Sequence, residues 1–196
     1  MEAIKTIEKN GLTIKIYQDE NPESPREWEN LGIMACFHNR YTLGDKTDIS
    51  SDSFSGWNEM EAYIKAELGA VVVLPLFLYD HSGISMRTFR HGHHSAWDCG
   101  QVGFIYATKE KIVAHFGKKI IATKKIEDIL ISEVETYSAY LEGNIYGFVI
   151  EDDAGSHIDS CCGFYNDDAE IEALEIVENL THKGTTDHKG QLLLNI

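Results

Sequence analysis

Between Ile126 and His182 the sequence contains no lysine and no arginine, yet it carries fifteen aspartates and glutamates. The whole chain has 32 acidic and 17 basic residues, so outside this segment the 17 remaining acids balance the 17 bases. The formal charge of −15 therefore resides in one stretch. A block of one sign sets up a directed field that gathers cationic partners and repels anionic ones. Other shortages narrow the class further. Only three prolines occur, and no Gly/Ser/Pro linker or internal repeat interrupts the chain. The four cysteines include the adjacent pair Cys161 and Cys162, which implies no disulfide framework and fits a reduced compartment. No run approaches the roughly 18 apolar residues of a membrane span. The longest candidate, Ala70 to Tyr79, has the length of a strand. The first residues, MEAIKTIEKNG, show no signal-peptide pattern, so a cytoplasmic protein of a host cell is expected.

What is present is enough for a folded core. In 196 residues, 43% are hydrophobic and 10% aromatic. The acidic stretch is interleaved with Ile, Leu, Val, Tyr and Phe, unlike acidic disorder. Period-2 alternation predicts a strand over Leu12 to Tyr17, and short apolar runs predict strands over 31–37, 70–79, 84–89 and 102–107. Helical spacing appears over Trp57 to Leu68, with Met60, Tyr63, Ile64 and Leu68 on one face, and over Lys109 to Phe116. The longest helix is expected at about 124–142, with Ile126, Leu130, Val134, Tyr137 and Leu141 inward, Thr123 as N-cap and Gly143 as stop. Strands at 145–151 and 157–164 flank Asp152-Asp153-Ala154-Gly155, a hairpin signal. A last helix should follow, capped by Asp167 or Asp168, with Ile171, Leu174, Val177 and Leu180 inside. The expectation is an α+β fold with a largely antiparallel sheet and three to four helices. It forms a single domain over 1–196, with a sub-boundary near 118–124 where the acidic half begins.

On the long helix Glu127, Asp128, Glu135 and Glu142 fall within a sector of about 100° and span about 22 Å. Glu151, Asp152, Asp153, Asp167, Asp168, Glu170, Glu172, Glu175 and Glu178 would raise the density if they shared a face. The simpler alternative is that these are solvated helix faces and turn caps. Exposed helices usually gain about 0.2–0.5 kcal/mol from each Glu–Lys pair at i, i+4. That gain is absent inside this segment, which favours a surface meant for a basic partner.

Two further constellations carry candidate chemistry. The loop Arg90 to Cys99 reads RHGHHSAWDC, and His91, His93 and His94 are metal-ligand types, with His81, Asp98 and Cys99 nearby in sequence. Their spacing matches no zinc signature, and a solvated turn is the simpler reading. His38 and Asp45 flank Arg40 and Tyr41 after a buried strand, and Asp98 stands before Cys99-Gly100-Gln101-Val102-Gly103. With Glu133, these residues make a candidate divalent-metal site for a nuclease; turn caps and structural histidine are the competing roles. No GxGxxG, P-loop, GxSxG or HExxH motif occurs.

Several segments carry a resemblance: Glu29-Asn30-Leu31-Gly32, His38 to Asp45 (HNRYTLGD), Trp97 to Gly103 (WDCGQVG), Glu133 to Gly147 (EVETYSAYLEGNIYG) and Ile158-Asp159-Ser160. They resemble a largely uncharacterised family of phage, plasmid and integrative-element proteins with a W-D-x-G-Q-V-G motif, across most of the chain. The family has Ser where this chain has Cys99, and it lacks the preceding histidines. The resemblance implies a mobile-element setting, in which small acidic proteins often disarm restriction or CRISPR systems. The leading expectation is a counter-defence protein without cofactor. Its acidic half would bind a basic, nucleic-acid-handling surface of a host enzyme, with neither membrane nor direct nucleic-acid contact. The alternative is the metal-dependent nuclease acting on RNA or DNA, such as a guide RNA, with Asp98, His38, Asp45 and Glu133.

Overall fold

The computed structural model describes residues 2–81, 83–90 and 99–184. Among the described residues four α-helices and two antiparallel four-stranded sheets give an α+β fold, as the periodicities predict. The chain forms two compact units. One, the hairpin unit, joins Met1–Glu23 to Gly143–Ile196. The other, the inserted unit, is Ser24–Glu142. Composition hides this partition because long-range strand pairing creates it.

The hairpin unit has a sheet in the order β1 (Lys5–Lys9), β2 (Leu12–Gln18), β7 (Ile145–Asp152) and β8 (His157–Tyr165). Asn10 and Gly11, both at positive φ, make the tight β1–β2 turn. Ile14 pairs with Ile150 and Ile16 with Phe148, so these four point to one face and pack beneath α4 (Asp168–Gly184). Asp167 starts α4, its carbonyl accepting from the Glu170 and Ile171 amides. The buried face of α4 matches the expected one at Val177 and Leu174 and departs from it elsewhere. Ala169, Ala173 and Val177 are buried, whereas Ile171 is 53% and Leu180 41% exposed. Small residues let the helix approach the sheet closely, which hydrophobicity alone does not reveal.

In the inserted unit the order is β3 (Ile33–Cys36), β6 (Cys99–Thr108), β4 (Ala70–Asp80) and β5 (Ile84–Arg87). One face packs on α3 (Thr123–Glu142), which presents the expected stripe of Ile126, Leu130, Val134 and Tyr137. The opposite face packs Ala35, Phe104 and Tyr106 with Met60 and Ile64 of α1 (Trp57–Ala66). Tyr63, expected inside, is 38% exposed. A short helix, α2 (Lys109–Phe116), starts at Thr108, whose hydroxyl accepts from the Lys111 amide. Thr123 is already helical, and the Ala122 carbonyl accepts the first bonds of α3. Among the described residues no helix is long and apolar enough to cross a membrane.

Gly103 fixes the β3–β6 contact, because a Cβ there would lie 1.9 Å from the Ala35 carbonyl oxygen. Neither strand can yield without breaking its ladder. Gly103→Ala is therefore expected to cost about 3 kcal/mol or more by urea denaturation, whereas Gly100→Ala, with open space around it, should change stability little.

Candidate functional site

The most tightly organised polar cluster surrounds Arg26. Ser24 and Pro25 begin a single 3-10 turn, with the Ser24 hydroxyl accepting from the Arg26 amide. This turn sends the Arg26 side chain inward, where it is 5% exposed. Its Nε and one terminal nitrogen grip Asp45 at 2.9 and 2.7 Å, and the other terminal nitrogen reaches Glu133 at 3.1 Å. The nitrogen on Asp45 also donates to the Gly32 carbonyl at 2.9 Å. Glu133 accepts the Leu31 and Gly32 amides, and Asp45 accepts the Met34 amide at 2.8 Å. Burial by itself would lower the Arg26 pKa. The hydrogen bonds and negative charges of Asp45 and Glu133 outweigh it and raise the value. Gly32 has no room for a side chain, since a Cβ would lie 2.7–2.8 Å from Leu130, Glu133 and Ile105.

Two of the four suspected nuclease residues, Asp45 and Glu133, thus come together, but on a guanidinium. Both carboxylates are engaged by cation and backbone donors, which is a structural brace. A metal at this point would have to displace Arg26. Only the Ser-Pro-Arg turn just before Glu29-Asn30-Leu31-Gly32 hints at the missed arginine. Among the described residues no group of three or more His, Cys, Asp or Glu is placed to hold a metal. Asp98 and the loop histidines His91, His93 and His94 lie outside the described residues.

His38 lines a cleft of about 510 Å³ with Phe37, Arg40, Leu78, Asp80 and Gln101. Its Nδ1 accepts the Arg40 and Tyr41 amides, both at 3.3 Å. In the neutral ring this puts the hydrogen on Nε2. Its ring stacks on Tyr41 with centroids 5.0 Å apart. Arg40 covers the Tyr41 ring at 5.3 Å and pairs with Asp80. The cleft therefore unites the two motif segments around His38 and Gln101, with His38 serving its own turn.

The acidic segment is shared between the units. In the inserted unit, Lys124 meets Asp128 at 2.7 Å and Glu127 at 4.0 Å. Glu135 is exposed, and Glu142 accepts from the Ser138 hydroxyl at 2.9 Å. In the hairpin unit, lysines from β1 and β2 supply the cations that the segment itself lacks. Lys15 pairs with Glu151, Lys5 with Glu170 and Lys9 with Glu178, each at 2.6 Å. Asp152 locks its own turn by accepting the Ala154 and Ser156 amides. Asp153, Asp167, Asp168, Glu172 and Glu175 remain exposed. The sequence of this unit holds 16 acids and 5 lysines, net −11, against 16 acids and 12 bases, net −4, in the inserted unit.

Comparison with protein-family models, curated proteins and solved structures finds no match.

Arg26→Ala leaves two partly buried carboxylates without their cation and should cost about 3–5 kcal/mol in urea denaturation. A pH titration provides an independent check. Burial pushes the Cys36 thiol up to about 12 from 9.0, with Asp45 adding to the rise. The folded value lies above the unfolded one, so this contribution is intact below pH 9.0 and lost as pH climbs toward 12. The slope attributable to Cys36 is at most about 1.4 kcal/mol per pH unit. Cys36→Ala should flatten the alkaline fall in stability, measured between pH 8.5 and 11 at about half-unit steps.

Proposed function

We propose that this protein is a binding module that docks, through the outer face of α4, on a basic surface used for handling nucleic acid. The observation that carries this reading is the stripe Asp168, Glu172 and Glu175. At 100° per residue these three share a sector of about 60° opposite the buried Ala169-Ala173-Val177 face. They are exposed, and among the described residues no cation lies within ion-pair distance of them. The three carboxylates cover about 10 Å of helix, roughly one every 5 Å. One DNA strand offers a phosphate about every 3.4 Å of axis. This is closer to nucleic-acid charge density than the long helix α3 achieves. The lysines of β1 and β2 are already taken by Glu151, Glu170 and Glu178, so among the described residues no ion pair offsets the stripe.

Lys- and Arg-lined channels that hold a phosphate backbone are the natural complement of such a stripe. The resemblance to mobile-element proteins makes a host defence enzyme, a CRISPR effector or a restriction endonuclease, the expected owner of the channel. Counter-defence follows as the biological role. The nuclease alternative draws no support from Asp45 and Glu133, which Arg26 holds.

Binding to a purified effector, followed by interferometry, should be competed by duplex DNA and fall steeply with salt, since screening shortens to about 8 Å at physiological ionic strength. The triple variant Asp168→Lys/Glu172→Lys/Glu175→Lys should bind at least about tenfold more weakly while melting normally. Affinity that ignores both salt and charge reversal would sink the proposal.

A further inference from the structure

A sheet edge exposes backbone donors and acceptors that can pair with another chain, and proteins usually block it. Three of the four edges here are guarded. On β3, Gly44 bridges Ala35, and the Asp45 amide donates to the Met34 carbonyl at 2.7 Å. On β5, the Ser138 hydroxyl of α3 accepts the Met86 amide at 2.9 Å. β1 carries Lys5 and Lys9, the usual edge guards. The fourth edge, β8, has no lysine, arginine or proline. Its residues are exposed on both faces from His157 to Gly163. Among the described residues, no backbone group of another element pairs with its outer side.

Beside this edge, the sheet face turned away from α4 holds a groove of about 510 Å³. Tyr17, Gly147 and Val149 line it, with Cys162 along β8. Gly147 is needed there, because a Cβ would lie 2.8 Å from the Cys161 carbonyl oxygen and 2.9 Å from the Cys162 Cβ. The charged lining residues are Asp19 and Glu20, and there is no cationic one. The one carboxylate on β8, Asp159, accepts the Ser160 amide at 2.8 Å.

We infer that β8 and this groove receive an extended basic segment of the partner, which adds to the sheet as a fifth strand. The inference rests on the preceding reading that the partner is basic. Backbone pairing along Ile158–Gly163 spans about 20 Å. Alternate apolar side chains turn to the groove face that Val149 and Cys162 share, and alternate Lys or Arg side chains turn to the other face, where Asp159 lies beside Ile150. A second copy of this chain fits poorly, since it would set two units of net charge −11 edge to edge.

The test titrates the full chain into a fluorescein-labelled peptide of alternating Arg and Val, about ten residues long. Saturable binding is expected. Methylating alternate amide nitrogens of the peptide removes its ladder donors and should weaken binding at least about tenfold. Val149→Lys, at a half-buried position in the groove, should do the same without lowering the melting temperature. The Glu172→Lys/Glu175→Lys variant should stay within about twofold, because α4 covers the opposite face. Equal binding of the methylated peptide would overturn strand addition and leave only charge attraction. So would a dimer that the peptide fails to dissociate, or a tenfold gain on deleting residues 185–196, which would make the chain its own occupant. Loss of peptide binding with effector binding intact overturns this inference alone and leaves the α4 reading standing.

Discussion

A guanidinium withdrawn from water needs a partner for each of its nitrogens, and Arg26 meets that demand by drawing three separate parts of the inserted unit together. It holds Asp45 after β3, Glu133 in the middle of α3 and the Gly32 carbonyl at the entry to β3. Its two carboxylates in turn receive the amides of Leu31, Gly32 and Met34. Backbone that would otherwise lie near the core without partners is thereby satisfied. A buried ion pair is weak evidence for net stability, but removing one member leaves a costly charge. The brace therefore sets where β3 begins, and β3 leads directly into the turn that carries His38. The His38–Gln101 cleft inherits its geometry from a salt bridge at the other end of that strand.

Charge in the hairpin unit follows a different logic. The segment from Ile126 to His182 contains no lysine or arginine, yet three of its glutamates find lysines more than a hundred residues earlier in the chain. Exposed pairs of this kind contribute at most about 1 kcal/mol each. Their larger effect is on the pattern of the field. They neutralise carboxylates on the flanks of α4 and the sheet, whereas among the described residues no cation pairs with Asp168, Glu172 or Glu175. On the proposed reading, such a pattern gives a basic partner orientation as well as attraction.

Local periodicity made much of the fold legible. The long helix, its buried stripe, its glycine stop and the β7–β8 hairpin all follow from spacing that one element imposes on itself. What escaped depends on partners distant in sequence. The strand Lys5–Lys9 is short and mostly exposed, so no apolar alternation marks it; pairing with β2 makes it a strand. The inward face of α4 is built on alanines, which carry little hydrophobic signal beside the exposed Ile171 and Leu180. Asp45 and Glu133 looked like metal ligands because they are acidic residues in ordered surroundings. The residue that gives them another role, Arg26, lies in a proline-containing loop whose inward course no pattern announced. The turn at His38 was open to a structural reading, and its ring nitrogen does accept backbone amides there.

The pairing of Ile14 with Ile150 has a kinetic side. During synthesis the β1–β2 hairpin leaves the ribosome long before its neighbour β7 exists. The roughly 130 intervening residues take about 6–26 s to make at 5–20 residues per second. Over that interval Ile14 and Ile16 have no helix above them and β2 has an open flank, whereas all segments of the inserted unit arrive consecutively. Assembly order is thereby written into the topology: the middle of the chain can consolidate first, and the hairpin must wait, vulnerable to proteases and holdase chaperones, for its late-made half.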